Sequence, residues 1–192
     1  ILALSVNSPF WLGRDTGWMS YRCKVFDKFP RTNIPDFFTG WAEYEEFVHL
    51  LVKTNCVLDG RQIWWQSWPN AHKDHDTFCI SCHTAMPYAI SRAALRAPLS
   101  ESGPSAPERK LIEAVTTRVR LWREVEPWYP DQLRGLPKTS ESRGVESVMN
   151  ALVLATRDAQ RGVISDEGKM AFDNMWALQF KTGPQSGAWA WL

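Results

Sequence analysis

The chain of 192 residues carries 22 Lys+Arg against 21 Asp+Glu, a net charge of +1. That balance excludes the strongly basic field of a nucleic-acid binder, and no apolar run reaches the roughly 18 residues of a membrane span. Hydrophobic residues at 44% and charged residues at 22%, with 11 Trp among them, describe a globular body able to bury a core.

The chain starts at Ile1, and Ile1 to Val6 is too short an apolar stretch to identify as a signal peptide. Residues 1–60 read as an irregular N-terminal segment plus one helix. Phe10, Trp11, Trp18, Tyr21, Phe26 and Phe29 are scattered among Pro, Gly and Asn, whereas Trp41, Tyr44, Phe47, Val48, Leu51 and Val52 recur at helical spacing, predicting a helix over 40–53. Asp59-Gly60 reads as a turn, and Gln62 to Trp68 is too short to assign by period. Asn70 to Thr77 reads as a polar loop leading into Cys79.

Pro87 suits the first turn of a helix running to about Arg96 and ended by Pro98. After a Pro/Ser/Gly-rich loop, Ser105 and Glu108 have capping-box spacing. The following helix puts Leu111, Val115, Val119 and Trp122 on one stripe and ends before Pro127. Residues 127–143 read as a long connection. Val145, Val148, Met149, Leu152 and Ala155 line the next helix, closed at Gly162, and Ser165 caps a last one with the stripe Phe172, Met175, Trp176 and Gln179. The short link makes these two an antiparallel hairpin. The expected class is mainly α with little strand, divided as 1–60, 61–135 and 136–192 within one compact domain. The terminal run Trp189-Ala190-Trp191-Leu192 is unlike the polar ends usual for free termini. It reads as part of something longer, or as an end covered by another surface.

Cys79-Ile80-Ser81-Cys82-His83 is a C-x-x-C-H string, the attachment pattern of c-type haem. Two thiols about one helical turn apart each add to one vinyl group of a porphyrin, and the next residue offers its imidazole to the iron. On this reading Cys79 and Cys82 carry thioether links, His83 is the proximal iron ligand, and one covalent haem c is bound per chain. Trp65, in the Trp64-Trp65-x-x-Trp68 cluster, is a candidate haem wall and His72 a candidate distal ligand, although a Met ligand or a vacant sixth position stays open. Lys73, Arg92, Arg96, Arg118 and Arg120 are candidate partners for haem propionates. Cys23 and Cys56 read either as a disulfide or as two buried thiols. The rival readings of the motif are a redox pair and a zinc site drawn from His72, His75, Cys79, Cys82 and His83.

The run Trp64-Trp65-Gln66-Ser67-Trp68 through Cys79-Ile80-Ser81-Cys82-His83 to Arg92 resembles bacterial squalene-cyclase-like proteins that join a C-x-x-C-H segment to α/α-toroid repeats. Phe172-x-x-x-Trp176-Ala177-Leu178-Gln179, followed by Gly187-Ala188-Trp189, is similar to the Gln-Trp repeat of squalene–hopene cyclases. The resemblance covers about 62–192 and implies helical hairpins in a partial toroid. It does not imply cyclisation, because Asp74-His75-Asp76-Thr77 lacks the last Asp of the family's acid motif.

Together these readings predict a monohaem c-type cytochrome in periplasmic or otherwise extracytoplasmic electron transfer. Its partners would be redox proteins or a larger membrane-associated or periplasmic complex, with no nucleic acid and no transmembrane segment. The alternatives are the haem-bearing part of a cyclase-like enzyme acting on an apolar substrate, and a zinc-stabilised helical interaction module.

Overall fold

Helices dominate the computed structural model, which describes residues 41–80, 83–96, 98–134 and 138–190. Helix α1 spans Trp41–Ser67. It runs straight through Asp59-Gly60, where the sequence reads as a turn, and stops before Trp68-Pro69, since proline lacks the donor and disfavours helical geometry in the residue before it. Its buried face is unusual. Among the described side chains it consists, besides Val52, of Asn55, Gln62 and Gln66. Gln66 Nε2 donates to the Pro107 carbonyl at 2.8 Å and Asn55 Nδ2 to Glu101 at 3.4 Å.

The segment expected to be a polar loop is a small antiparallel hairpin, β1 (His72–Lys73) and β2 (Thr77–Phe78), paired His72 with Phe78 and Lys73 with Thr77. His75 (φ 54°) and Asp76 (φ 55°) both take the left-handed conformation in the tight turn between the strands. The Thr77 N–H and hydroxyl both donate to the Asp74 carbonyl.

Helix α2 (Ala85–Ser91) passes into a 3₁₀ turn, Arg92–Leu95, within the helical stretch expected from the sequence. Helix α3 (Ala106–Arg120) begins at the Ser105/Glu108 capping box, with both reciprocal hydrogen bonds formed. Leu111, Val115 and Val119 are buried as expected. The helix ends two residues before Trp122, so that ring is only half-buried. The connection expected over 127–143 contains the short helix α4 (Asp131–Arg134) and the first turns of α5 (Lys138–Ala159).

Helix α6 (Asp166–Ala177) is capped by Ser165, whose Oγ accepts from the Gly168 N–H at 3.0 Å. It packs against α5 more extensively than any other pair of described elements, as an antiparallel hairpin. Ala171, Asn174 and Gly168 are its buried residues, while Trp176 of the expected stripe is 48% exposed. Trp176 instead packs its ring on Trp189, whose indole N–H donates to the Met175 carbonyl at 2.6 Å. The tail then passes over α5 at Gly144. A Cβ there would run into the backbone oxygen of Ala190, so only glycine admits this approach.

The core lies where α2, α3, α5, α6 and the hairpin meet, and includes Phe78, Ile80, Tyr88, Leu111, Val115, Val145 and Leu154. Among the described residues no helix is long and apolar enough to cross a membrane.

Asp158 locks the α5–α6 turn. Its Oδ2 accepts from the Ser165 N–H (2.8 Å) and hydroxyl (2.7 Å), and Arg157 Nε donates to its Oδ1 at 2.8 Å. Burial opposes the charge on this carboxylate, but the Ser165 hydrogen bonds and the Arg157 guanidinium prevail and hold its pKa below the usual value. A depressed folded pKa gives stabilisation that is complete above the unfolded carboxylate value, about 3.9, and is lost as pH falls through the lower folded value. Asp158→Asn is therefore expected to flatten the acid limb of the stability curve. Thermal unfolding of both proteins from pH 7 to pH 3 checks this, and parallel losses in the two would refute it.

Candidate functional site

The region around Ile80 holds most of the residues the sequence singles out. Three indole rings close the end of α1: Trp64 stacks on Trp68 with centroids 5.3 Å apart, and Trp65 is tilted against both. The Trp65 indole N–H donates to the Cys79 carbonyl at 2.7 Å, and the Cys79 N–H donates to the Ala71 carbonyl at 2.8 Å. Trp65 thus pins the strand leaving the hairpin to α1. Cys79 is buried in the main core, beside Phe78 and Ile80. His83 is exposed, and Cys82 and Cys23 lie outside the described residues. Cys56 is disulfide-bonded. His72 is exposed on the hairpin, with Nε2 3.7 Å from Asp76, and His75 sits 3.1 Å from Asp74. Among the described residues no three His, Cys, Asp or Glu side chains are grouped so as to hold a metal ion.

The cations expected to neutralise propionates are all engaged with carboxylates of the chain itself. Lys73 pairs with Glu126, Arg96 with Glu108, Arg120 with Glu167, Arg92 with Asp59 and Glu101, and Arg118 with Glu146. Two of these assemblies are buried, and the sequence pattern carries no sign of them.

In the first, Arg118 is fully enclosed. It binds both oxygens of Glu146, donates to Thr77 Oγ1 at 2.8 Å and to the Glu126 carbonyl at 2.6 Å, and lies 3.9 Å from Asp74. One guanidinium therefore joins α3, α5, the hairpin and the loop after α3.

In the second, Arg92 sits as a planar fork between two carboxylates. It donates from Nε (2.8 Å) and Nη2 (3.2 Å) to Asp59, and from Nη1 (2.7 Å) and Nη2 (2.9 Å) to Glu101. Burial works against this charge, but Glu101 and Asp59 outweigh it and raise the guanidinium's pKa. The Tyr88 hydroxyl donates to the same Asp59 oxygen at 2.7 Å and lies 3.2 Å from Ser105 Oγ. Burial first, then the bond to Asp59, raises the phenol far above its ordinary pKa, so Tyr88 stays a neutral donor throughout the biological range. Both assemblies bond a buried guanidinium to carboxylates on separate elements, so they serve to rigidify.

Residues 1–80 match the family described as glutamate–cysteine ligase family 2. Three relatives from Solibacter usitatus, Herpetosiphon aurantiacus and Roseiflexus castenholzii carry the name "Putative glutamate--cysteine ligase 2". The first is 58% identical over 72 residues, 38% of this chain and 19% of the relative. The second is 49% identical over 70 residues (36% and 18%), and the third 51% over 72 residues (38% and 19%). The chain thus spans about a fifth of the length of the curated relatives it matches. No solved structure matches the chain.

These matches correct the reading made from the motif. The similarity is to a ligase family, so the resemblance to squalene-cyclase-like proteins is not upheld, and neither is a monohaem cytochrome with redox partners. One covalent haem c on Cys79, Cys82 and His83 goes with it. The described side chains give a physical reason. Cys79 is packed into the protein's own core, Trp65 is spent on the Cys79 backbone, and the nearby cations are neutralised by carboxylates. The zinc-stabilised module fails on the same matches, and the scattered exposure of His72, His75 and His83 accords with this. The similarity to a glutamate–cysteine ligase family runs from residue 1 to residue 80 and stops one residue beyond Cys79.

Proposed function

We propose that residues 1–80 are part of a glutamate–cysteine ligase-like body, and that α2 to α6 are an extension built onto it. The reaction suggested by the relatives' name joins a carboxylate of glutamate to the amine of cysteine as an amide. That condensation is uphill in water, so a nucleoside triphosphate is the natural activating co-substrate. The 58% identity over 72 residues carries the reading. The bonds that tie α1 to α2 and α3 support the second half: Asp59, inside the matched stretch, bonds Tyr88 and Arg92 beyond it, and Gln66 bonds the Pro107 carbonyl.

The test is the full-length gene product incubated with glutamate, cysteine and ATP, with the products read by mass spectrometry. An amide of the two amino acids, formed only when all three are present, is the expected result. A folded full-length protein that forms none would overturn the reading.

The disulfide-bonded state of Cys56 is open to a direct check. Peptide mapping of the native protein under non-reducing conditions is expected to recover Cys56 in a linked pair, and a fully alkylatable Cys56 would refute it.

A further inference from the structure

A cleft of about 470 Å³ opens where the α2–3₁₀ segment, the start of α3 and the end of α5 converge, within the size range of small-molecule sites. Four guanidinium groups line it: Arg96, Arg109, Arg157 and Arg161. Its floor is apolar, made by the half-buried Ala89, Ala93 and Ile112 over the buried Val153.

The charges in this cleft do not cancel. Arg96 is held across it, bonded to Glu108 at 3.0 Å on α3 and to Gln160 in the turn after α5. Arg157 is taken by Asp158 and Ser165. Arg109 is exposed and spends one nitrogen on the Pro104 carbonyl, a neutral acceptor. Arg161 is exposed, and its side chain has no hydrogen bond or ion pair with a described residue. Against these two stands one further carboxylate, Glu113. The surplus is one positive charge, presented by planar forks at the rim of an apolar floor. Guanidinium forks match carboxylates in a bidentate manner.

We infer that this cleft is a binding site for a small monoanionic carboxylate with a hydrocarbon body, its head taken by Arg109 and Arg161 and its chain laid on Ala93 and Ile112. The site stands apart from the ligase reading and holds or fails independently of it.

Octanoate is the probe, titrated calorimetrically into the full chain well below its micelle concentration, with inorganic phosphate in a parallel titration. Octanoate is expected to bind at one site, and phosphate at least tenfold more weakly because it cannot use the floor. Arg109→Gln/Arg161→Gln should weaken octanoate at least tenfold without moving the melting temperature, since both side chains are exposed. Ile112→Ser should weaken octanoate while leaving phosphate unchanged. Lys169→Gln, an exposed cation on α6 outside the cleft, should change nothing. No octanoate binding, phosphate binding as tightly as octanoate, or undiminished affinity in the double arginine variant would each overturn the assignment.

Discussion

Replacing Glu146 with leucine is expected to destabilise the fold by about 3–5 kcal/mol, a large share of the 5–15 kcal/mol typical of a domain. The cause is the group left behind. Arg118 has no exposed surface, and among the described residues Glu146 supplies the only ionised oxygens bonded directly to it; Asp74, at 3.9 Å, is the next carboxylate. Thr77 Oγ1 and the Glu126 carbonyl would remain as neutral acceptors, insufficient for a buried cation. The double variant Arg118→Met/Glu146→Leu should recover much of the loss, because removing both charges removes the desolvation problem. Recovery should stop short of complete by about 1–3 kcal/mol, since the Glu126 carbonyl loses its buried donor. Urea unfolding followed by Trp fluorescence measures all three proteins in one series. A single-variant cost below about 1 kcal/mol would show that Arg118 reaches water and that the pair is not structural.

The parts of this fold legible in the sequence are those set by local chemistry. Ser105 with Glu108, and Ser165 ahead of α6, cap helices because a side-chain oxygen satisfies backbone N–H groups nearby, whatever the rest of the chain does. Leu111, Val115 and Val119 also declare their buried face by spacing alone. Helix α1 shows where that logic stops. From Asn55 onward its buried residues are Asn55, Gln62 and Gln66, so no buried apolar stripe marks its second half, and Asp59-Gly60 reads as a turn. The helix continues because Asp59 is held from outside by Tyr88 and Arg92, partners some thirty residues away that no local pattern announces. The hairpin is hidden for a similar reason. Two-residue strands give no alternation to read, and His75 and Asp76 occupy a left-handed turn usually signalled by Asn-Gly.

The candidate site is legible in its residues and misleading in its chemistry. Cys79, Trp65, Arg92 and Arg118 stand out in the sequence and hold unusual positions in the fold, but spacing alone cannot tell a cysteine facing a cofactor from one facing a core. Nor does a basic residue reveal its carboxylate partner: Arg118 and Glu146 are 28 positions apart. The short motif draws the reading toward a porphyrin, while the ligase similarity is spread over some seventy residues without one chemically distinctive string.

Arg92→Leu is expected to cost about 3 kcal/mol, the low end for breaking a buried ion assembly, because Asp59 and Glu101 each keep 22% exposure and regain some hydration. Its second consequence distinguishes it from an ordinary core substitution. Arg92 joins α1, inside the ligase-like stretch, to the segments at 92–101 beyond it, and Tyr88 leans on the same Asp59 oxygen. Removing the guanidinium leaves two carboxylates facing each other with only the Tyr88 phenol bonded between α1 and α2 at that point. Hydrogen exchange should therefore accelerate in the α1 stretch around Asp59 and in α2 together. Helices α5 and α6 supply none of the carboxylates that hold Arg92, and should keep their protection beyond the shared global loss. Asp59→Asn should reproduce the pattern at lower amplitude, since an amide oxygen still accepts from Arg92. Faster exchange in α2 alone would mean that α1 is held by Gln66 and the Trp65–Cys79 contact instead, and the matched and unmatched parts of the chain would then be joined at Gln66–Pro107, in the first turn of α3, rather than at Arg92.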